Sequence, residues 1–455
     1  MGEQHPLVDS FISASSNSQL QQEQGADTPS YWASNPSKLL TSAIVHSLHL
    51  GTGDRILASI LPVLERAETE IILVTCYWAC SSSQAQICDS LRKLSASATV
   101  QGRKIRVRIC FSSSGIWQKL FHTQSPEGKV YSPASWKKTL GLPRPEELEG
   151  LDLEVKSIFL LPISIIHPKF IVVDRKHAFL PSCNVSWENW LEGCVELRGP
   201  VVGQFVRFWQ AFWAREQVGQ SGDWETPDSI GTQNLSQPSA GVLSSRTFAP
   251  SEIQALFLPS PHHRNPQFRF PWQTAAPAPS TPLNVFLLQA FDLASKYIYI
   301  QTPNVTSQPA IESLLTALDR GVDVNIVTSE RLQLLEQIVT GGTTSPRCID
   351  KLISEYRRRG EAQDLEVGRR GRLKVSFYKP RDERQGCDEE PVQSHFKLTV
   401  VDGEMAVFGS GNMDRPSWYT SQELGVTFFS NEFVRQVEDA VSESLEGRLK
   451  QAYHG

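Results

Sequence analysis

This chain of 455 residues has no apolar run long enough to cross a bilayer. The longest runs, around Ile71 to Cys80 and Phe159 to Ile166, fall well short of the roughly 20 residues a membrane helix needs. It also lacks an excess of positive charge. A formal net charge of −5 and a pI near 6.1 argue against a protein dedicated to coating DNA, although a local nucleic-acid contact stays open. No signal peptide is evident, because the first 30 residues are polar and rich in Gln and Ser, with neither a basic start nor an apolar stretch. Pro6 stands where a myristoylation signal carries Ser or Thr. The eight cysteines are scattered, and the closest pair, Cys76 and Cys80, has no second pair or His at zinc-finger spacing. Reduced and mostly buried thiols are therefore expected, which fits a cytoplasmic protein without a transmembrane segment.

A single hydrophobic core seldom serves 455 residues, so two domains or two fused halves are expected. Residues 1–45 read as a disordered polar tail, 46–216 as half one, 217–250 as a linker rich in Pro, Ser, Gly and Gln, and 251–455 as half two. The segment "SEIQALFLPSP" reads as the first strand of half two. The stretch from Ser112 to Gly150 has no counterpart of equal length in half two and reads as an insertion near a site mouth. Within each half, an amphipathic helix precedes a buried strand, followed by a helix and further strands: "RKIRVRICF" and "DLEVKSIF" in half one, "GVDVNIVTS" and "RLKVSFY" in half two. Such alternation predicts α/β sandwiches with mixed sheets.

The pattern H-x-K-x4-D occurs twice, from His167 through Lys169 to Asp174 and from His395 through Lys397 to Asp402. One chance copy is expected roughly 0.03 times in a chain of this size, so two by accident are improbable. An Asn follows each His by 17 positions, Asn184 and Asn412, and Thr75 repeats at Thr302 with nearly the same offset as the two histidines. The repeat therefore spans whole domains. An imidazole titrating near neutrality can attack phosphorus or deliver a proton, and two of them can divide those tasks. Side-chain alternation along a strand points His167 with Lys169, and His395 with Lys397. Two lysines and two asparagine amides converging on one point would bind a tetrahedral anion where charge builds in a transition state.

These residues resemble the phospholipase D superfamily. The second motif region, "HFKLTVVDGEMAVFGSGNMDRPSWYTSQELGV", is similar to that family's pattern, and "YIYIQTPNV…AIESLLTALDRGVDVNIVTS" resembles the bacterial cardiolipin synthase branch; together the likeness covers roughly 54–450. The resemblance implies two α/β/α sandwich halves related by a pseudo-twofold axis, with one shared active site at their interface. It implies that His167 is the nucleophile forming a phosphohistidine and that His395 is the acid for the leaving oxygen, then the base for incoming water or alcohol. Lys169, Lys397, Asn184 and Asn412 would bind phosphoryl oxygens, Glu423 would orient an imidazole, and Asp174, Asp402 and Ser410 would support the motif. In half one the matching acid is Glu192, with Glu196 on the same strand face as the alternative. Pro181 stands where the family has Gly, which predicts an altered turn before Asn184. No cofactor and no catalytic metal are implied.

The expected partners are a phospholipid at a membrane surface and a water or alcohol acceptor, handled by a monomer that touches membranes peripherally. Nucleic acid is the less favoured substrate, and the alternatives are a metal-independent nuclease or an inactive phosphate-binding scaffold. The basic run Arg357-Arg358-Arg359 with Arg369, Arg370, Arg372 and Lys374 reads as an anionic contact or as a solvated helix end. Trp187, Trp190 and Trp418 could line an apolar rim or pack in a core. His122, His262 and His263 read as surface loop residues.

Overall fold

Runs in which nearly every residue is apolar become strands covered on both faces, and these strands organise the chain. The computed structural model describes residues 5–16, 31–123, 125–160, 165–215, 236–260, 277–332, 334, 337, 338, 342–362, 370–381 and 390–455. The chain divides into a first unit, Thr41–Ala255, and a second unit, Leu256–Gly455 together with Met1–Leu40.

Among the described residues the first unit has nine strands: β1 (Leu40–Gly51), β2 (Glu70–Tyr77), β3 (Ile105–Ser113), β4 (Lys129–Val130), β5 (Leu151–Ser157), β6 (Phe170–Val173), β7 (His177–Pro181), β8 (Trp190–Arg198) and β9 (Ser244–Thr247). Their order across the sheet is β9-β1-β8-β7-β6-β2-β3-β5-β4. The pairs β2–β3 and β3–β5 are parallel and the rest antiparallel. Alternation along β6 builds two layers of helix cover. Ile171 and Val173 join Ile56, Ile60 and Leu91 from the helices Gly53–Leu64 and Ser82–Val100. Phe170 meets Phe205 and Phe208 of the helix Val201–Trp209, with ring centroids 5.3 and 6.0 Å away.

In the second unit the strands are β10 (Glu252–Ser260), β11 (Tyr297–Gln301), β12 (Asp323–Ser329), β13 (Leu373–Tyr378), β14 (Gln393–Ser394), β15 (Leu398–Val401), β16 (Met405–Gly409), β17 (Glu423–Phe429) and β18 (Leu449–His454). The sheet runs β10-β17-β16-β15-β11-β12-β13-β18, with β11–β12 and β12–β13 parallel. The same succession of pairings thus occurs in each unit. Each is a mixed α/β fold, as expected.

The Asp that closes each motif sits in the tight turn after the motif strand. Asp174 and Arg175 have φ of 52° and 56°, and Asp402 and Gly403 have 57° and 72°. Two successive left-handed residues make the turn whose twist suits a hairpin, so β6–β7 and β15–β16 close tightly. Each carboxylate then collects main-chain donors from the start of the neighbouring antiparallel strand, β2 or β11. Asp174 accepts from the amides of Glu68, Thr69 and Glu70 at 2.7–3.1 Å. Asp402 accepts from those of Ser295, Lys296 and Tyr297 at 2.8–2.9 Å. Both aspartates are structural pins, and neither touches its motif lysine.

Several expectations need correction. Residues 6–16, placed in a disordered tail, form a helix whose Leu7, Val8 and Phe11 are buried, and Phe11 lies 5.9 Å from Phe286. A polar average hid a short apolar stripe that a tertiary partner covers. Residues 40–51, also partly assigned to the tail, form β1. Of the expected linker, 217–235 lies outside the described residues, while Ser244–Thr247 pairs with β1 as β9. The 112–150 segment is no insertion, because it links β3 to β5 as residues 330–372 link β12 to β13; it contributes Tyr131, Trp136, Leu140 and Leu142 to the first unit's core, where Leu140 O accepts from Trp78 Nε1 at 2.9 Å. Finally, the motif His and Lys residues precede their strands instead of lying within them.

Burial opposes ionisation of Asp402, yet the main-chain donors outweigh it and hold its carboxyl below the usual range. A depressed folded value means that its contribution is complete above the unfolded carboxyl pKa and is lost as pH falls through the folded one. Asp402→Ala should cost about 2 kcal/mol or more at pH 7 and flatten the acid limb of stability. Urea unfolding at pH 7 and pH 3 checks this, and an unchanged acid limb would count against the pin.

Candidate active site

In the second unit the motif residues come together by way of the lysine. His395 and Lys397 are buried, and Lys397 Nζ lies 2.9 Å from both ring nitrogens of His395 while donating to its carbonyl at 2.7 Å. Asn412 Nδ2 donates to Asp414 Oδ2 at 2.9 Å, and the Asn412 amide donates to Ser417 Oγ at 3.1 Å. Asn412 Oδ1 is buried with no hydrogen-bond partner among the described residues. Asp414 caps the helix Arg415–Tyr419, accepting from the Ser417 amide at 2.9 Å, and burial pushes its carboxyl up. Thr302 Oγ1 accepts from the Met413 amide at 3.1 Å, fixing the residue beside Asn412. Ser410 Oγ donates to the carboxylate of the fully buried Glu423 and accepts from the Leu424 amide at 3.0 Å.

The first unit repeats most of this. Lys169 is buried and donates to the carbonyl of half-buried His167 at 2.9 Å. Asn184 Oδ1 is buried without a partner among the described residues, as is Asn412 Oδ1. Ser182 Oγ donates to Glu192 and accepts from the Gly193 amide at 2.9 Å, matching the relation of Ser410 to Glu423 and Leu424. Glu192 therefore stands where Glu423 stands. Glu196 belongs elsewhere: it meets His177 Nδ1 at 3.2 Å and accepts from the Ser236 amide at 3.0 Å. Burial opposes its ionisation, but the His177 and Ser236 contacts hold its carboxyl low.

Pro181 keeps the strand pairing that leads to Asn184. It pairs opposite Cys194, next to the hydrogen-bonded pair in which the Ser182 amide donates to Gly193 O at 2.8 Å. That non-hydrogen-bonded position needs no N–H.

Asp414 was missed by the sequence reading. An Asp two residues before Pro and three before Ser is a helix-start pattern that could have marked it. Its place in the first unit is taken by Ser186, which donates to Glu188. Burial raises the Glu188 carboxyl, with the Lys169 ammonium opposing that shift. Trp418 is core, whereas Trp187 is exposed with its ring edge-on to Tyr77 at 5.7 Å. His122 is buried on Ser157 Oγ at 2.7 Å, so it is no surface residue, while His262 and His263 lie outside the described residues. Four arginines of the basic run are paired with carboxylates: Arg358 with Glu355, Arg359 with Glu312, Asp319 and Glu355, Arg370 with Asp319, and Arg372 with Asp323; Arg357 lies 4.9 Å from the Tyr453 ring, and Arg369 lies outside the described residues. Of the seven described cysteines, all but Cys80 are buried and none is in a disulfide. Among the described residues, no group of three or more His, Cys, Asp or Glu could hold a metal ion, and no helix is long and apolar enough to cross a membrane.

A family model described as "Cardiolipin synthase, PLD-like domain" matches residues 287–444, the region that holds His395, Lys397, Asn412 and Glu423. The second unit carries a phospholipase D-like domain. Cardiolipin synthase A of Pseudomonas syringae pv. syringae (strain B728a) is 23% identical over 291 residues, which cover 61% of this chain and 46% of that protein. The chain thus spans about half the length of that relative. The crystal structure of phosphatidylserine synthase from Haemophilus influenzae Rd KW20 matches 91% of this chain and 90% of its own, with a TM-score of 0.56 and 12% identity. At that identity the likeness concerns the fold alone, which the two proteins share over nearly the whole chain.

The Glu196 cluster generates a prediction of its own. His49 is buried, with Nδ1 2.9 Å from Ser245 Oγ and Nε2 3.2 Å from Ser236 Oγ. Burial lowers its imidazole from 6.5 to about 4 against the pull of Glu196. Because the folded value lies below the unfolded one, this neutral His contributes fully above pH 6.5 and costs stability as pH falls towards 4, by up to about 3 kcal/mol. His49→Gln should remove that slope. Chemical denaturation at pH 7.5 and 4.5 tests it, and an equal loss in both proteins would refute it.

Proposed function

We propose that the protein is a phospholipase D-type phosphodiesterase or phosphatidyltransferase that cleaves or exchanges phospholipid headgroups through a covalent phosphohistidine. The observation that carries this reading is the repeated array of His, buried Lys, Asn with an unpartnered Oδ1, and Ser-bound Glu, present once in each unit. We take the two motifs to act together on one phosphodiester. His167 attacks phosphorus as the bond to the leaving oxygen breaks, and His395 gives that oxygen its proton. His395 then removes a proton from water or an alcohol, which attacks phosphorus and frees His167. Lys169, Lys397, Asn184 and Asn412 supply donors to the phosphoryl oxygens, and Glu192 and Glu423 hold the imidazoles in orientation. The names of the two relatives, a cardiolipin synthase and a phosphatidylserine synthase, support transfer to an alcohol alongside hydrolysis. Pairing of Arg358, Arg359, Arg370 and Arg372 with nearby carboxylates disfavours the nuclease reading.

Incubation of the purified protein with labelled phosphatidylcholine, phosphatidylglycerol and single-stranded DNA, each with and without EDTA, tests the proposal. Phospholipid turnover that survives chelation is expected. DNA cleavage without lipid turnover would move the assignment to a nuclease, and loss on EDTA with rescue by zinc or calcium would remove the metal-free mechanism. His167→Ala should abolish an acid-labile phosphoenzyme. His395→Ala should slow its formation by about 10² to 10⁴ and spare a p-nitrophenyl phosphodiester, whose leaving group needs no proton. The reverse pattern would exchange the roles, and full activity of both variants would sink the mechanism.

A further inference from the structure

The 112–150 segment carries large apolar side chains that nothing in the mechanism uses. On the short helix Ile116–Leu120 and the residue after it, Trp117 is 74%, Leu120 54% and Phe121 80% exposed, and Val130 on β4 is 56% exposed. The Trp117 and Phe121 rings stack with centroids 6.3 Å apart and planes within 13°. This is not a loose loop tip. The root of the patch is held by the end of β5, where His122 Nε2 lies 2.7 Å and Tyr131 OH 3.1 Å from Ser157 Oγ, while Val130 pairs opposite Lys156. A protein fold that spends buried hydrogen bonds to hold aromatic rings in water has a partner for them.

The position of the patch and its charge identify that partner. Ser112, four residues before the helix, accepts from the Ile166 amide at 3.1 Å and donates to Ile158 O at 3.1 Å. Ile166 immediately precedes His167, so the patch rises from the same strand ends that carry the first motif. Residues 114–140 contain four lysines, Lys119, Lys129, Lys137 and Lys138, against one carboxylate, Glu127. Lys119 and Lys129 are the chain neighbours of Leu120 and Val130, and their ammonium groups stand 5.7 Å from the Phe159 ring and 5.0 Å from the Tyr131 ring. Trp, Phe and Leu ringed by lysine match the boundary between acyl chains and anionic headgroups. Four side chains are also too few for a stable protein interface, which takes about 800 Å² from each partner.

We infer that Trp117, Leu120, Phe121 and Val130, with Lys119 and Lys129, form a docking wedge that seats the first unit on a phospholipid bilayer containing anionic lipid. The wedge deepens the phospholipid reading and rests on it for its bearing on turnover, because docking would bring headgroups to the strand ends that carry His167.

Sedimentation with phosphatidylcholine vesicles, with and without phosphatidylglycerol, tests the wedge in the full chain. The double variant Trp117→Ser/Phe121→Ser should partition at least about tenfold more weakly than the unaltered protein while keeping its thermal unfolding. Lys119→Glu/Lys129→Glu should erase the preference for phosphatidylglycerol. On a monomeric short-chain phospholipid, both variants should turn over at the unaltered rate. If the unaltered protein turns over no phospholipid yet loses vesicle binding in the Ser variant, the functional reading fails and the wedge stands. Equal partition of the unaltered and Ser proteins would overturn the wedge. So would a dimer of the unaltered protein that dissociates in the Ser variant with unchanged partition, since that assigns the patch to self-association.

Discussion

A carboxylate held by consecutive main-chain amides is the constraint on which each unit's site depends. Asp174 and Asp402 lie at the far end of a four-residue strand from the motif lysine, so the four unspecified positions of H-x-K-x4-D are β6 and β15 themselves. At about 3.3 Å per residue, the pin and the lysine are separated by roughly 16 Å. The pin fixes the register of the motif strand against β2 or β11, and a one-residue slip there would turn the lysine away from its place. In the first unit the turn includes Arg175 at φ 56°, where the second unit has Gly403. The contact of Arg175 Nε with Glu70 Oε2 at 2.7 Å helps hold that left-handed residue.

The succession of helices and strands along the chain and the motif residues were legible because they depend on local pattern: continuous apolar runs, helix-to-strand changes of period, and fixed spacing between polar groups. The choice between Glu192 and Glu196 was not. Period two puts both on one face of β8, and four residues along a strand change nothing in periodicity. What separates them is partners distant in sequence, Ser182 for the first, and His177 and Ser236 for the second. The helix Pro6–Ser16 escaped for a related reason. Its three buried apolar residues form too small a stripe to stand out in a polar segment, and only contact with Phe286 gives them cover.

Charge was misleading in the same way. Arg358, Arg359, Arg370 and Arg372 look like part of a basic face in the sequence, yet Glu312, Asp319, Asp323 and Glu355 meet them in space. A count of residues cannot see pairing between elements. The lysines of the 112–150 segment read less strongly in the sequence because they are spread out, while Trp117, Leu120, Phe121 and Val130 near them remain in water.

The two units differ most where they support the motif asparagine. Asn412 is tied to Asp414, which also caps a helix, so its amide is set by a rigid element. Beside Asn184 the corresponding place holds Ser186, and the nearest acid is Glu188, partly buried and influenced by Glu192 and Lys169. Two imidazoles in identical surroundings would titrate together, whereas attack needs a neutral ring and leaving-group protonation needs a charged one. A reaction that assigns different tasks to His167 and His395 therefore requires a local difference. The residue types of the motif, His, Lys, Asn and Ser-bound Glu, are the same in both units, but their settings are not: His395 is buried with Lys397 Nζ 2.9 Å from its ring nitrogens, whereas His167 is half-buried and Lys169 donates to its carbonyl. Asp414 against Ser186 and Glu188 adds a second difference beside the motif asparagines.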